Sequence, residues 1–236
     1  MERFYREWVK DSKLITQEVK VQETDLLISA EKDIKEIAGK LVKEHRDEIE
    51  AYIKVCPDFK TSLEPLSLDK NAPAIVKEML LASAKANVGP MASVAGAVSE
   101  FVGKRLLPYS KQIIVENGGD IFIASDTEIK VAIFAGGSPL TNKLFIKIKP
   151  GDTPLGICTS SGTVGHSLSF GKADACVIIS TSTSLADAVA TAACNRVKKT
   201  RDIKPALDFA ISIDGIKGAL IILGKDFGVL GEVELA

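Results

Sequence analysis

The stretch TSTSLADAVATAACNRV, residues 181–197, decides how this chain is read. Four hydroxyl residues lead into a run of alanines that carries one acid, Asp187, with Thr191 one turn later. Alanine-rich sequence of this length predicts a helix over 184–197. The acid has two readings. As a capping box, Ser184 is the N-cap and Asp187 stands at N3, where its carboxylate reaches back to the free amides of its own first turn. As a cation site, Asp187 and Thr191 are four residues apart, so their hard oxygen donors share a helix face and can hold part of a Mg²⁺ shell. The surrounding alanines keep that face low. This suits the approach of a flat ligand, and equally the close packing of another backbone.

Working outward, the chain has 236 residues, 46% hydrophobic and 26% charged, which is enough apolar side chain for a sizeable core. With 30 Lys+Arg against 31 Asp+Glu there is no bulk charge to grip nucleic acid or an anionic membrane. One Trp and three Tyr make no base-stacking platform. Apolar runs such as GALIILG fall far short of a membrane span, and the N-terminus MERFYREWVKDSK lacks an apolar leader core. The expectation is a cytoplasmic protein, 1–236 as one domain, with a small anionic ligand as its partner. The four cysteines, at 56, 158, 176 and 194, match no zinc spacing and read as reduced, buried thiols.

Upstream, EVKVQ and TDLLIS alternate and predict two short strands within 14–28. Residues 30–55 change to the three/four spacing of an amphipathic helix, with Ser29 as its cap and His45 at the edge of its apolar stripe. CPDFKTSLEPLSL, 56–68, is a proline loop. Helices follow over 72–86, stopped by NVGP, and over 91–106. Strands follow over 112–116, 120–125, 129–135 and 144–149. One more covers 174–180, before the opening helix; a short helix at 204–213 and two closing strands finish the chain. This order lacks regular β-α-β alternation and gives an α+β fold, mixed or antiparallel sheets packed with helices.

Glycine and small hydroxyls concentrate in three places: NVGPMAS with Gly89, VENGGDIF with Asn117, Gly118, Gly119 and Asp120, and CTSSGTVGHSLSFG with Thr159, Ser160, Ser161, Gly162 and His166. Each can present main-chain amides to an anion, and each can be an ordinary turn or loop.

ADAVATA, 186–192, resembles the Ala-Asp-Ala-Leu-Ala-Thr-Ala signature of the FAD:protein FMN transferases, the ApbE superfamily. NVGPMAS, VENGGDIF and CTSSGTVGHSLSFG fall in the order of that family's other motifs, so the resemblance covers residues 85–197. It looks like a short, divergent branch. The resemblance implies an ApbE-like fold and Mg²⁺ on Asp187 and Thr191. It also implies FAD or FMN against the Gly118–Asp120 turn and the 159–162 loop, with His166 as a proton acceptor. Three departures count against complete FMN transfer. His166 is followed by Ser-Leu-Ser-Phe instead of an acid and proline, Ser93 stands where the family has lysine, and Pro90 replaces a glycine. Two other functions suit the same fold. One is sulfur handling by a stabilised Cys158 thiolate. The other is a non-catalytic interaction protein whose small-residue helices form oligomer interfaces. A homodimer is compatible with all three.

Overall fold

The computed structural model describes residues 14–164 and 170–236. Alternation at the N-terminus forms β1 (Ile15–Val21) and β2 (Thr24–Ala30), an antiparallel hairpin that buries Val19, Leu26 and Ile28. The amphipathic segment is α1 (Lys35–Val55), with Ala38, Leu41, Val42, His45 and Ile49 inside. Ser29 does not cap it. Ser29 lies within β2, and the chain enters the helix at Ile34, whose amide is satisfied by the Gln17 carboxamide at 3.0 Å. The proline loop contains one short helical turn, α2 (Asp58–Thr61). Next come α3 (Ala74–Ala86), closed by Asn87 in the left-handed region, and α4 (Val94–Leu106), preceded by a 3-10 turn at Pro90–Ser93.

The remaining strands are β3 (Ile113–Asn117), β4 (Asp120–Ala124), β5 (Ile129–Ala132), β6 (Phe145–Ile148), β7 (Leu155–Ser160), β8 (Ala175–Ser180), β9 (Ile216–Leu223), β10 (Asp226–Gly231) and β11 (Glu234–Leu235). The opening helix is α5 (Thr183–Arg196), and α6 spans Ile203–Ile211. Strand β7 corrects the expectation of a loop from residue 158. Its Leu155 and Ile157 alternate with Gly156, Cys158 and Ser160, a period of two that glycine and hydroxyls disguise in sequence. The closing strands also divide: β9 and β10 pair as a hairpin, while β11 leaves to join β6.

Eight strands form one antiparallel sheet in the order β1-β2-β3-β4-β7-β8-β9-β10, and β11-β6-β5 form a second. The helices cover one face of the large sheet and the small sheet covers the other. Apolar side chains of alternate residues serve the two faces. Leu26, Val115 and Phe122 pack under α1, α3 and α4, and Cys158, Ile178 and Ile221 pack under α5 and α6. Ile121, Ile157, Val177 and Leu220 face Val131 and Ile146 of the small sheet. The helical layer therefore has two apolar clusters, and the seam between them runs where α4 and α5 meet over β4 and β7.

Candidate functional site: a buried acidic seam between two helices

The seam begins with a tight turn. Gly118 and Gly119 have φ of +67° and +108° and join β3 to β4 as a two-residue hairpin, with Asn117 paired to Asp120. Their amides are not both free. Gly119 donates to the Glu116 carboxylate at 2.9 Å. The Asn117 amide group donates to the Ala95 carbonyl at 3.1 Å, which fixes the first turn of α4 beside the hairpin.

Asp187 meets that same turn from the other side. Its Oδ2 accepts the Gly96 amide at 2.8 Å, and the Ala95 amide also points to it. The helix caps itself elsewhere: Ser182 is the N-cap of α5, and its hydroxyl accepts the Leu185 amide. The Ser184–Asp187 capping box is therefore corrected. Asp187 does cap a helix, but the helix is α4. A side chain at position 96 would come within 2.7 Å of the Asp187 Cβ and 2.5 Å of the Thr183 carbonyl, so Gly96 is what allows α4 and α5 this close.

The contact is reciprocal. Glu100 of α4 is 2% exposed, and its Oε2 accepts the Ser184 amide at 2.9 Å, the Ser184 hydroxyl at 3.0 Å and the Ser182 hydroxyl at 3.3 Å. Its other oxygen pairs with Lys104. Each helix thus supplies the carboxylate that satisfies the amide-rich start of its neighbour. Glu100 is the residue that the sequence reading missed. Its signal was available: Glu100 is the one acid of this helix and shares a face with the small residues Gly96, Ala97 and Gly103, where a neighbour can pack closely, and a buried acid needs partners.

On the sheet below, Asp120 is 7% exposed, and the register Ile121↔Ile157 continues to place it opposite Cys158. Burial raises its carboxyl pKa to about 7, against the Cys158 thiol and the Thr159 amide that favour the anion, and Glu116 pushes it up further. The Asp187 carboxyl is raised as well, by burial first and then by Asp120, while the Gly96 and Ala95 amides hold it down. Two acids in one dry place cannot both ionise freely. Cys158 is buried, its sulfur 3.3 Å from the Thr183 carbonyl, and burial and both aspartates drive the thiol well above its ordinary range. It therefore stays a protonated donor. That removes the motive for a thiolate-based sulfur carrier.

The other sequence candidates divide. Thr191 is half-buried, one turn beyond Asp187 on α5. Thr159 and Ser160 end β7 beside the glycine turn, and the buried Ser160 hydroxyl has no partner. Ser161 turns its hydroxyl inward to the Thr163 and Val164 amides, and the Gly162 amide donates to the Ala173 carbonyl at 2.9 Å. Gly89 has a packing role. It is buried where a side chain would strike the Ser62 carbonyl, so it serves packing against the proline loop. His166 lies outside the described residues. His45 is a core residue, bonded to Glu48 at 3.0 Å and edge-on to Phe101.

Among the described residues no three or more His, Cys, Asp or Glu side chains converge as a metal cluster. Two carboxylates with a hydroxyl nearby remain a donor set suited to Mg²⁺, which keeps several waters and takes substrate phosphate oxygens as ligands. No described helix is long and apolar enough to cross a membrane.

A family model described as AbpE bacteria matches residues 6–229. The UPF0280 protein of Methanococcus aeolicus is 39% identical over 226 residues, covering 93% of this chain and 91% of that protein. The UPF0280 protein of Methanosarcina acetivorans is 40% identical over 222 residues, covering 93% and 87%. Among solved structures, the flavin transferase ApbE from Vibrio cholerae superposes with a TM-score of 0.59 at 13% identity, covering 92% of this chain and 96% of that one. The flavinyl transferase ApbE of Pseudomonas stutzeri, in its apo form, gives 0.59 at 13%, covering 93% and 94%. At that identity the likeness is one of fold.

Proposed function

The chain belongs to the AbpE bacteria family, and from that premise we infer that its acidic seam binds a flavin or related nucleotide through a divalent cation. The observation that carries this reading is the pair Asp120 and Asp187, two buried acids flanking one helix start, with too few donors to stabilise both charges. A cation supplies the missing charge. Asp187 is already aimed by the Gly96 amide, and Thr191 offers a hydroxyl on the same helix face. The turn at Gly118 borders the acids, and a side chain added there would meet nothing within 4 Å, so a ligand has room beside it. When bound, a divalent cation neutralises pyrophosphate oxygens. The residues of the chain orient that pyrophosphate and keep its surroundings dry. The departures around His166, Ser93 and Pro90 favour ligand binding or pyrophosphate cleavage over transfer of FMN to a protein hydroxyl.

Isothermal titration of the full chain with FAD, with and without Mg²⁺, tests the reading. Binding is expected only with Mg²⁺, and Asp187→Asn is expected to weaken it by about tenfold or more. No heat from FAD, FMN or ADP in either condition overturns it. Unchanged affinity in a destabilised Asp187→Asn variant would leave that carboxylate as the cap of α4 alone.

A further inference from the structure

The described residues leave few buried side-chain oxygens without a hydrogen-bond partner, and two of them, Asp120 Oδ1 and Ser160 Oγ, lie on the helix-facing side of the adjacent strands β4 and β7. A buried oxygen left unpaired forfeits its hydration with nothing in return, so such an oxygen calls for a partner. Asp120 Oδ1 is the more telling, because the Thr159 amide already engages its carboxyl group and leaves this oxygen over. The Thr183 hydroxyl is a third unpaired oxygen, at the start of α5.

The route from Asp120 to Asp187 is short. Asp120 pairs with Asn117 across the hairpin, Asn117 holds the Ala95 carbonyl, and the next residue, Gly96, donates its amide to Asp187. Asp187 thus reaches the first turn of α4 from α5, and Asp120 lies near enough in the sheet for its charge to act on the Asp187 carboxyl. We propose that Asp120 is a direct metal ligand, its Oδ1 giving a second carboxylate to the cation that Asp187 holds. The assignment rests on the cation site inferred above and changes one part of it. It moves Asp120 from the flavin to the metal and makes the shell a two-carboxylate one, able to bind the ion before any nucleotide arrives. A phosphate ligand would then complete the shell instead of creating it.

The probe is Mn²⁺ alone, titrated into the metal-stripped full chain and followed by its electron paramagnetic resonance signal. The wild type, Asp120→Asn, Asp120→Glu and Asp187→Asn are compared, and thermal melts in EDTA report folding. Wild type is expected to bind one ion. Asp120→Asn and Asp187→Asn are each expected to bind it about tenfold or more weakly, with EDTA melting temperatures no lower than wild type. Asp120→Glu, which keeps the oxygen donors, is expected to recover part of the loss. If Asp187→Asn loses the ion and Asp120→Asn keeps it, the assignment of Asp120 fails and the cation site stands. If Asp187→Asn also binds Mn²⁺ as wild type does, both fail. No binding by wild type overturns the pre-formed shell, and the FAD titration then decides the broader reading on its own.

Discussion

At the residue scale, one carboxyl group carries a signed pH dependence. Asp120 titrates at about 7 in the folded chain, above the usual carboxylate value of 3.8. The folded state therefore holds this proton more tightly than the unfolded chain does. Its stabilising contribution is full below about pH 4 and is lost as pH rises through about 7. Asp187 shifts in the same direction. In EDTA, Asp120→Asn should match wild type near pH 4 and melt higher than wild type by about pH 8, because the amide carries no charge to bury. Melting curves across that range check it; a constant difference at every pH would place the raised carboxyl elsewhere. Adding Mg²⁺ should reverse the order at high pH, since the ion stabilises only the chain that binds it.

Two helices stabilise each other's first turns at the element scale. Glu100→Ala would leave the Ser184 amide and hydroxyl unpaired in a buried place, and should cost about 2–3 kcal/mol in denaturant unfolding. Glu100→Gln keeps one acceptor and should cost less. Gly96→Ala acts by sterics, forcing a methyl against the Thr183 carbonyl and the Asp187 Cβ. A loss of about 1–3 kcal/mol is expected, with weaker cation binding because Asp187 is pushed from its place. The existence of these helices was legible in the sequence. Alanine content announced α5, and apolar periodicity announced α1, α3 and α4. Their partnership was not, because Glu100 and Gly96 gain their roles from α5, which lies more than eighty residues further on. The same distance hid the direction of Asp187. Ser-x-x-Asp spacing favours a local cap, and the local cap lost to a neighbour whose amides were equally bare. Strand β7 was lost for a different reason: Gly156 and Cys158 are small because Thr183 sits on them, so the helix-facing half of the strand carries none of the large apolar residues that usually mark one.

At the scale of the whole molecule, three of the four thiols, Cys158, Cys176 and Cys194, are buried and Cys56 is half-buried. Under native conditions a thiol reagent should label Cys56 first. The other three should follow only at the rate of opening, so their labelling reports the stability of the α5–β7–β8 core. Fast labelling of Cys158 in the folded chain would revive the sulfur chemistry that its raised pKa argues against.

The sequence by itself determined the α+β class, nearly every element and the short motifs that border the seam, because periodicity, turn glycines and helix-forming composition are local properties. Only the tertiary structure decided that Asp187 caps α4, that Glu100 answers it from the other side, and that Asp120 rises beneath them from the sheet. Burial and the pairing of distant carboxyl groups depend on which elements meet, and no stretch of chain carries that information alone.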